Sequence, residues 1–265
     1  MDLQDAEFDD SEPAASASGA LPERQPAAAA RLGGLDAKYG GLDGAALLRP
    51  LIQREFYGRL AVVSSFGTES AVILAMMAEI DRSTPVLFLD TGKLFGETLR
   101  YRDRLVARLG LCDVRTIAPD PRRLAVTDPE GMLWLRDPDS CCAVRKVEPL
   151  ASALAGFDAW VSGRKRYQGA ERAALPLFEA DGDARVKINP LAGWSRSRVT
   201  EEFLRRDLPR HPLEADGYLS IGCITCSDRV RPGEDLRAGR WRGCDKTECG
   251  IHGPIALRAP PLAAD

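Results

Sequence analysis

Between residues 59 and 208, short apolar runs alternate with helical stretches, and this pattern constrains the fold more than any other feature. RLAVVSSF (59–66), TPVLFLDTG (84–92), DVRTIAP (113–119), DAWVSG (158–163) and VKINPLAGW (186–194) read as strands. TESAVILAMMAEI (68–80), LFGETLRYRDRLVARLG (94–110), AVRKVEPLASALAG (143–156) and SRVTEEFLRRDL (197–208) read as helices. Strands that are apolar almost throughout and separated by helices predict an α/β fold: a mostly parallel twisted sheet with helices on both faces. Residues 31–58 read as helical with glycine interruptions. Beyond residue 211 the periodicity fades into an irregular C-terminal segment. In such a sheet, ligands bind beyond the carboxyl ends of the strands. SSFGTES (64–70), LDTG (89–92) and SGRKR (162–166) are therefore expected to converge.

Residues 1–30 differ from the rest. Seven acidic residues, one arginine and many Pro, Ala and Ser predict a disordered tail. The stretch lacks the basic start and apolar centre of a secretory signal and is too acidic for a transit peptide. No apolar run approaches the roughly 20 residues of a membrane span, so the expected location is cytoplasmic. The expected organisation is an α/β domain over 31–222. Residues 223–265 add a cysteine half-site and a mobile C-terminal segment belonging to the same domain. A net charge of −3 supplies no global attraction to nucleic acid or an anionic membrane. Neither is expected as a partner, and any anion site has to be built from local arginines.

Seven cysteines in such a chain are not read as disulfides. Cys141 and Cys142 are adjacent, and Cys223 and Cys226 form C-x-x-C. Zinc half-sites usually leave two to four residues between ligands. The irons of a cubane cluster face different directions, so neighbouring thiolates can each hold a different corner. An iron–sulfur cluster, zinc and unligated buried thiols all stay open on this basis. Arg145 and Lys146 follow the first pair by one helical turn and can offset thiolate charge. Cys112, beside a strand, reads as a packing residue and Cys244 as incidental.

SSFGTES joins a strand end to a helix start, where backbone N–H groups, the helix dipole and hydroxyls suit a phosphate or sulfate. A simple capped turn explains it equally well. Arg164 and Arg166 in SGRKR, and Arg237 and Arg240 in RAGRW, offer bidentate donors to oxyanions, and Lys165 adds a further positive charge. Histidine is scarce, with only His211 and His252. The latter lies three residues after Cys249, whose thiol it either helps to activate or leaves alone.

SSFGTES, LDTG, CCAVRK with IGCITC, RAGRW and the terminal KTECGIH together resemble the assimilatory adenylylsulfate and phosphoadenylylsulfate reductases. The resemblance runs from about residue 45 to residue 253. It implies the adenine-nucleotide α-hydrolase-like fold, and the double cysteine with C-x-x-C points to the cluster-bearing subgroup. Carried over motif by motif, it implies that Ser64, Ser65, Phe66, Gly67 and Thr68 line the nucleotide or phosphosulfate site. Leu89 would meet the adenine through its backbone. Lys146, Arg164, Arg237 and Arg240 would surround the phosphosulfate. Cys141, Cys142, Cys223 and Cys226 would hold one [4Fe-4S] cluster per chain, and Cys249 would be the nucleophile. The implied reaction reduces adenosine 5′-phosphosulfate through a Cys249 thiosulfonate that thioredoxin or glutaredoxin resolves, in sulfate assimilation and cysteine biosynthesis. Use of the 3′-phosphorylated substrate, and assembly into a homo-oligomer, are left open. An adenylating sulfur-transfer enzyme and a nucleotide-holding redox sensor are the competing classes. The absent glycine-rich pyrophosphate loop and the net acidic charge weigh against the former.

Overall fold

The alternation of apolar runs and helices delivers one six-stranded sheet. The computed structural model describes residues 25–182 and 185–253. The strands are β1 (Leu60–Ser64), β2 (Val86–Leu89), β3 (Val114–Ile117), β4 (Ala159–Val161), β5 (Phe178–Asp181) and β6 (Arg185–Ile188). Their order is β3-β2-β1-β4-β6-β5. Every neighbouring pair is parallel except β5 and β6, which close one edge as an antiparallel hairpin.

Period-two alternation divides each central strand between the two faces. Leu60, Val62, Val86, Phe88, Ala159 and Val161 enter the main core, with the helices Gly44–Pro50, Ser70–Ile80, Gly96–Leu109 and Arg196–Arg205 contributing to the same face. Ala61, Leu87, Leu89 and Trp160 face the other way, onto Leu150 and Ala151 of the helix Glu148–Ala153. The helix Ser70–Ile80 is buried on nearly every side, as its unbroken apolar sequence requires. Gly110 ends the helix Gly96–Leu109 in the left-handed conformation, φ +63°.

The structure revises several expectations. The segment 31–58 is two helices, Gln25–Tyr39 and Gly44–Pro50, the second running into a π turn at Leu51–Glu55. The expected helix at 143–156 starts earlier, at Pro138, where the Asp137 carboxylate accepts from the amides of Asp139 and Ser140. It passes through a π turn at Ala143–Val147 before Glu148–Ala153. Cys141 and Cys142 therefore sit on a helix. Cys112, expected to pack, is exposed: its strand begins two residues later, and its thiol reaches only Gly110 O at 3.4 Å. The expected N-terminal tail lies outside the described residues as far as residue 24. Among the described residues, no helix is long and apolar enough to cross a membrane.

Candidate active site

β1 pairs with β2 on one side and β4 on the other. The chain leaves these strands in opposite directions across the sheet, which makes their carboxyl ends the switch point of the topology. A cavity of about 370 Å³ opens there. Ser64, Ser65, Gly67, Thr68, Leu89, Lys146, Arg164, Arg237, Arg240 and Cys249 all line it. Phe66 does not. It adopts φ +48°, points into the core and meets the Phe88 ring edge-on at 5.4 Å. Two loop amides are also committed locally, Phe66 N to Ser64 Oγ (3.2 Å) and Gly67 N to Ser70 Oγ (3.0 Å). The loop thus presents hydroxyls more than the bare row of amides expected from its sequence.

Eight cationic side chains and three carboxylates line the cavity, a strong local excess on a chain of net charge −3. Arg164 is held by Glu179, Ser162 and Asn189. Burial lowers its pKa and that of Arg237, with Arg172 adding like-charge repulsion to both. Desolvated guanidinium groups of this kind favour an anionic ligand. Arg240 donates Nε to Cys226 O at 3.1 Å and stacks over the Trp241 ring at 4.3 Å. Gly222 makes room for it, because a side-chain carbon there would overlap the guanidinium. Lys165 and Arg166 do not serve as the free cations expected. Buried Lys165 is paired with Glu69 at 2.8 Å, and Arg166 lies outside the cavity with Nε on Leu175 O at 2.9 Å.

Beneath one wall the two cysteine pairs meet. Cys142, Cys223, Cys226 and Trp241 form a single buried cluster, with Leu94 and Cys249 packed against it. Cys141 is buried and interacts electrostatically with Cys223 and Cys226. All four thiols are free. Burial raises the pKa of Cys141 and pushes Cys142 up to about 12. Among the described residues, no group of three or more His, Cys, Asp or Glu closes to single-ion geometry. Burial opposes the charge of Lys146, yet Cys223, Cys249 and Cys142 hold its pKa above the ordinary lysine value. Arg145 instead turns to Asp128 (2.6 Å) and Thr91 O (2.8 Å). Thr91, from LDTG, places its hydroxyl 3.2 Å from Cys223 Sγ. The bridge between Leu94 and Cys223, and Ile224 N on Lys93 O at 2.8 Å, tie the same loop to C-x-x-C.

The segment carrying Cys249 lies across the cavity. Lys246 pairs with Asp139, and Glu248 receives Arg172 Nε at 2.6 Å and Arg237 Nη2 at 3.2 Å. Ile251 packs under the sheet with Leu150 and Trp160. The His252 ring stacks on Trp160, with centroids 6.0 Å apart, and its carbonyl accepts from Lys187 Nζ at 2.7 Å. Burial, reinforced by Arg164, Arg172, Lys187 and Arg237, drives the His252 pKa well below its ordinary value. The ring is neutral at pH 7 and adds no positive charge for the Cys249 thiol. His211 belongs to the core: it contacts Thr98 Oγ1 at 3.1 Å, and burial lowers its pKa to about 4. Sequence reasoning missed Arg172, Gln168, Glu69 and Thr91. Only the last two lie inside motifs quoted above, and nothing local marks any of them as part of the site.

The phosphoadenosine phosphosulfate reductase domain model matches residues 59–229. Adenosine 5′-phosphosulfate reductase of Mesorhizobium japonicum is 54% identical over 224 residues, covering 84% of this chain and 88% of that one. Phosphoadenosine 5′-phosphosulfate reductase of Gloeobacter violaceus is 40% identical, covering 75% of this chain and 84% of the relative. The crystal structure of phosphoadenylyl-sulfate reductase from Candida auris, in a phosphate complex, superposes with a TM-score of 0.63 at 25% identity, over 75% of this chain and 96% of that one.

Proposed function

The chain belongs to the phosphoadenosine phosphosulfate reductase family, and we propose that it reduces adenosine 5′-phosphosulfate to sulfite and AMP in sulfate assimilation and cysteine biosynthesis. One observation carries the reading: the switch-point cavity brings a single thiol, Cys249, together with a cluster of cations. The sulfonyl sulfur of the substrate is electrophilic but screened by anionic oxygens. An attacking thiolate needs positive charge around those oxygens and around the departing phosphate. Lys146, Arg164, Arg237 and Arg240 supply it, while Ser64, Ser65, Gly67, Thr68 and the backbone of Leu89 hold the nucleotide.

Cys249 Sγ attacks the sulfonyl sulfur, the sulfur–oxygen bond to phosphate breaks, and AMP leaves with the electron pair. A Cys249 thiosulfonate remains. A thiolate of thioredoxin or glutaredoxin then attacks Cys249 Sγ, and sulfite departs with the electron pair of the sulfur–sulfur bond. The partner's second thiol resolves the resulting mixed disulfide. The second attack requires the segment to leave the cavity. Its few polar ties and its exposed Gly250 are consistent with that movement.

Cys141, Cys142, Cys223 and Cys226 are the residues proposed to hold one [4Fe-4S] cluster per chain. The donor set suits it, because four free, buried thiols come together from two distant segments, and the raised pKa values of Cys141 and Cys142 call for a cationic centre to ionise them. When bound, the cluster supplies a fixed charge beside Lys146. Lys146 faces both the thiols and the cavity, so Lys146→Ala is expected to lower kcat about 10²-fold while changing nucleotide Kd far less. Equal losses in both would remove it from the chemistry.

Incubation with labelled adenosine 5′-phosphosulfate and no thiol reductant tests the whole reading. The expected product is one SO3 group on the peptide containing Cys249, and an unmodified peptide refutes it. Two relatives are named for the 3′-phosphorylated substrate. The ratio of kcat/KM for the two nucleotides decides whether this chain accepts it as well.

A further inference from the structure

Glu69, Lys165, Tyr167 and Gln168 take no part in the chemistry above, yet they form a densely bonded polar group beside the cavity. Glu69 ends the SSFGTES loop side and abuts the helix Ser70–Ile80. Its carboxylate accepts from Lys165 Nζ (2.8 Å), Tyr167 Oη (2.6 Å) and Gln168 Nε2 (2.7 Å). The Gln168 carboxamide is used from both ends. Its nitrogen donates to Glu69, while its oxygen accepts from Lys165 N (3.0 Å) and Arg172 Nη1 (2.7 Å). Arg172 is buried and donates Nε to Glu248 at 2.6 Å. Glu248 immediately precedes Cys249 and also receives Arg237. An unbroken chain of hydrogen bonds therefore runs from the anion loop to the residue beside the candidate nucleophile.

Only a carboxamide serves at the centre of this chain. A carboxylate at 168 would confront Glu69 with like charge, and an apolar side chain would leave Arg172 short of an acceptor and Glu69 short of a donor. We propose that Gln168 is a positioning residue that couples the Glu69 end of the anion loop to the docking of the Cys249 segment, acting through Arg172 and Glu248. The inference rests on Cys249 being the nucleophile, but its test needs no turnover.

The test reads iodoacetamide labelling of Cys249 in the ligand-free holoenzyme by peptide-resolved mass spectrometry. Exposed Cys112, on the sheet body, serves as the internal standard. Gln168→Leu and Gln168→Glu are each expected to raise the Cys249 rate about tenfold, the effect of losing one charge-assisted hydrogen bond, with the Cys112 rate unchanged. The exchange variant Glu69→Gln with Gln168→Glu keeps one carboxamide and one carboxylate in contact. It is expected to return the rate to within about threefold of the unaltered chain, a coupling that independent sites would not show. A Cys249 rate unaffected by either single change, or an exchange no slower than Gln168→Glu alone, overturns the proposal. If labelling follows this pattern but no SO3 adduct forms on Cys249, the coupling stands and the reductase reading falls.

Discussion

The sheet body and the stretch from 211 to 253 are stabilised by different physics. In the body, Leu47, Leu48, Leu74 and Met77 are fully buried, and parallel ladders satisfy the backbone. Such burial is non-directional and is lost all at once. The later stretch has little regular structure. Beyond the small cluster of Cys223, Cys226 and Trp241 and the packing of Ile251, it is held by discrete ties: Arg172 and Arg237 on Glu248, Arg242 on Glu234, Lys246 on Asp139, Lys187 on the His252 carbonyl, and two isolated bridges. Each tie contributes little alone and can open locally. The proposed reaction would assign the rigid part to nucleotide binding and the weakly tied part to the thiol, which would have to meet two partners in turn.

Four experiments would break or sharpen that contrast. The largest effect falls on chemistry: Cys249→Ser should cut sulfite formation by at least about 10³-fold while leaving the unfolding midpoint of the half-buried site unchanged. Steady-state kinetics and a denaturant titration of the same preparation check both halves. Next comes a change in the body. Leu74→Ala should cost about 2–5 kcal/mol in urea unfolding, with the folded fraction still accepting the SO3 group. A smaller effect is expected from Gly222→Ala, which forces Arg240 out of its place and should raise KM about tenfold with little change in stability. A change confined to the unfolding curve would mean that Gly222 matters only for folding.

The smallest effect depends on pH. His252 binds a proton more weakly when docked against Trp160 than when free, because burial and four neighbouring cations oppose its charge. Docking is therefore fully favoured above the ordinary histidine value of about 6.5 and loses ground as pH falls below it. Hydrogen-exchange protection of residues 245–253, corrected for the intrinsic rate, should drop a few-fold between about pH 7 and pH 5. His252→Phe keeps the stacked ring and should abolish the pH dependence; its persistence would point to another group.

Local pattern made the sheet legible, because alternation and helix boundaries are written in neighbouring residues. β5 escaped notice: Phe178–Asp181 is short, half polar and paired antiparallel at an edge. The start at Pro138 was hidden because DPDS reads as a turn until Asp137 is seen capping it. Within the site, the cysteines and Cys249 stood out because their chemistry is rare. Phe66 was misplaced because its left-handed backbone turns the ring inward, which spacing does not reveal. Arg172, Gln168 and Glu248 acquire meaning only through contacts between distant segments.

The roof that Trp241 places over the thiols has a consequence for biosynthesis. Cys141 and Cys142 leave the ribosome well before Cys223, Cys226 and Trp241, so during synthesis they are uncovered side chains with no companions. The cluster proposed for these thiols could not be completed on a nascent body that lacks the second pair. Its assembly would wait until Cys223, 81 residues after Cys142, and Cys226 have emerged.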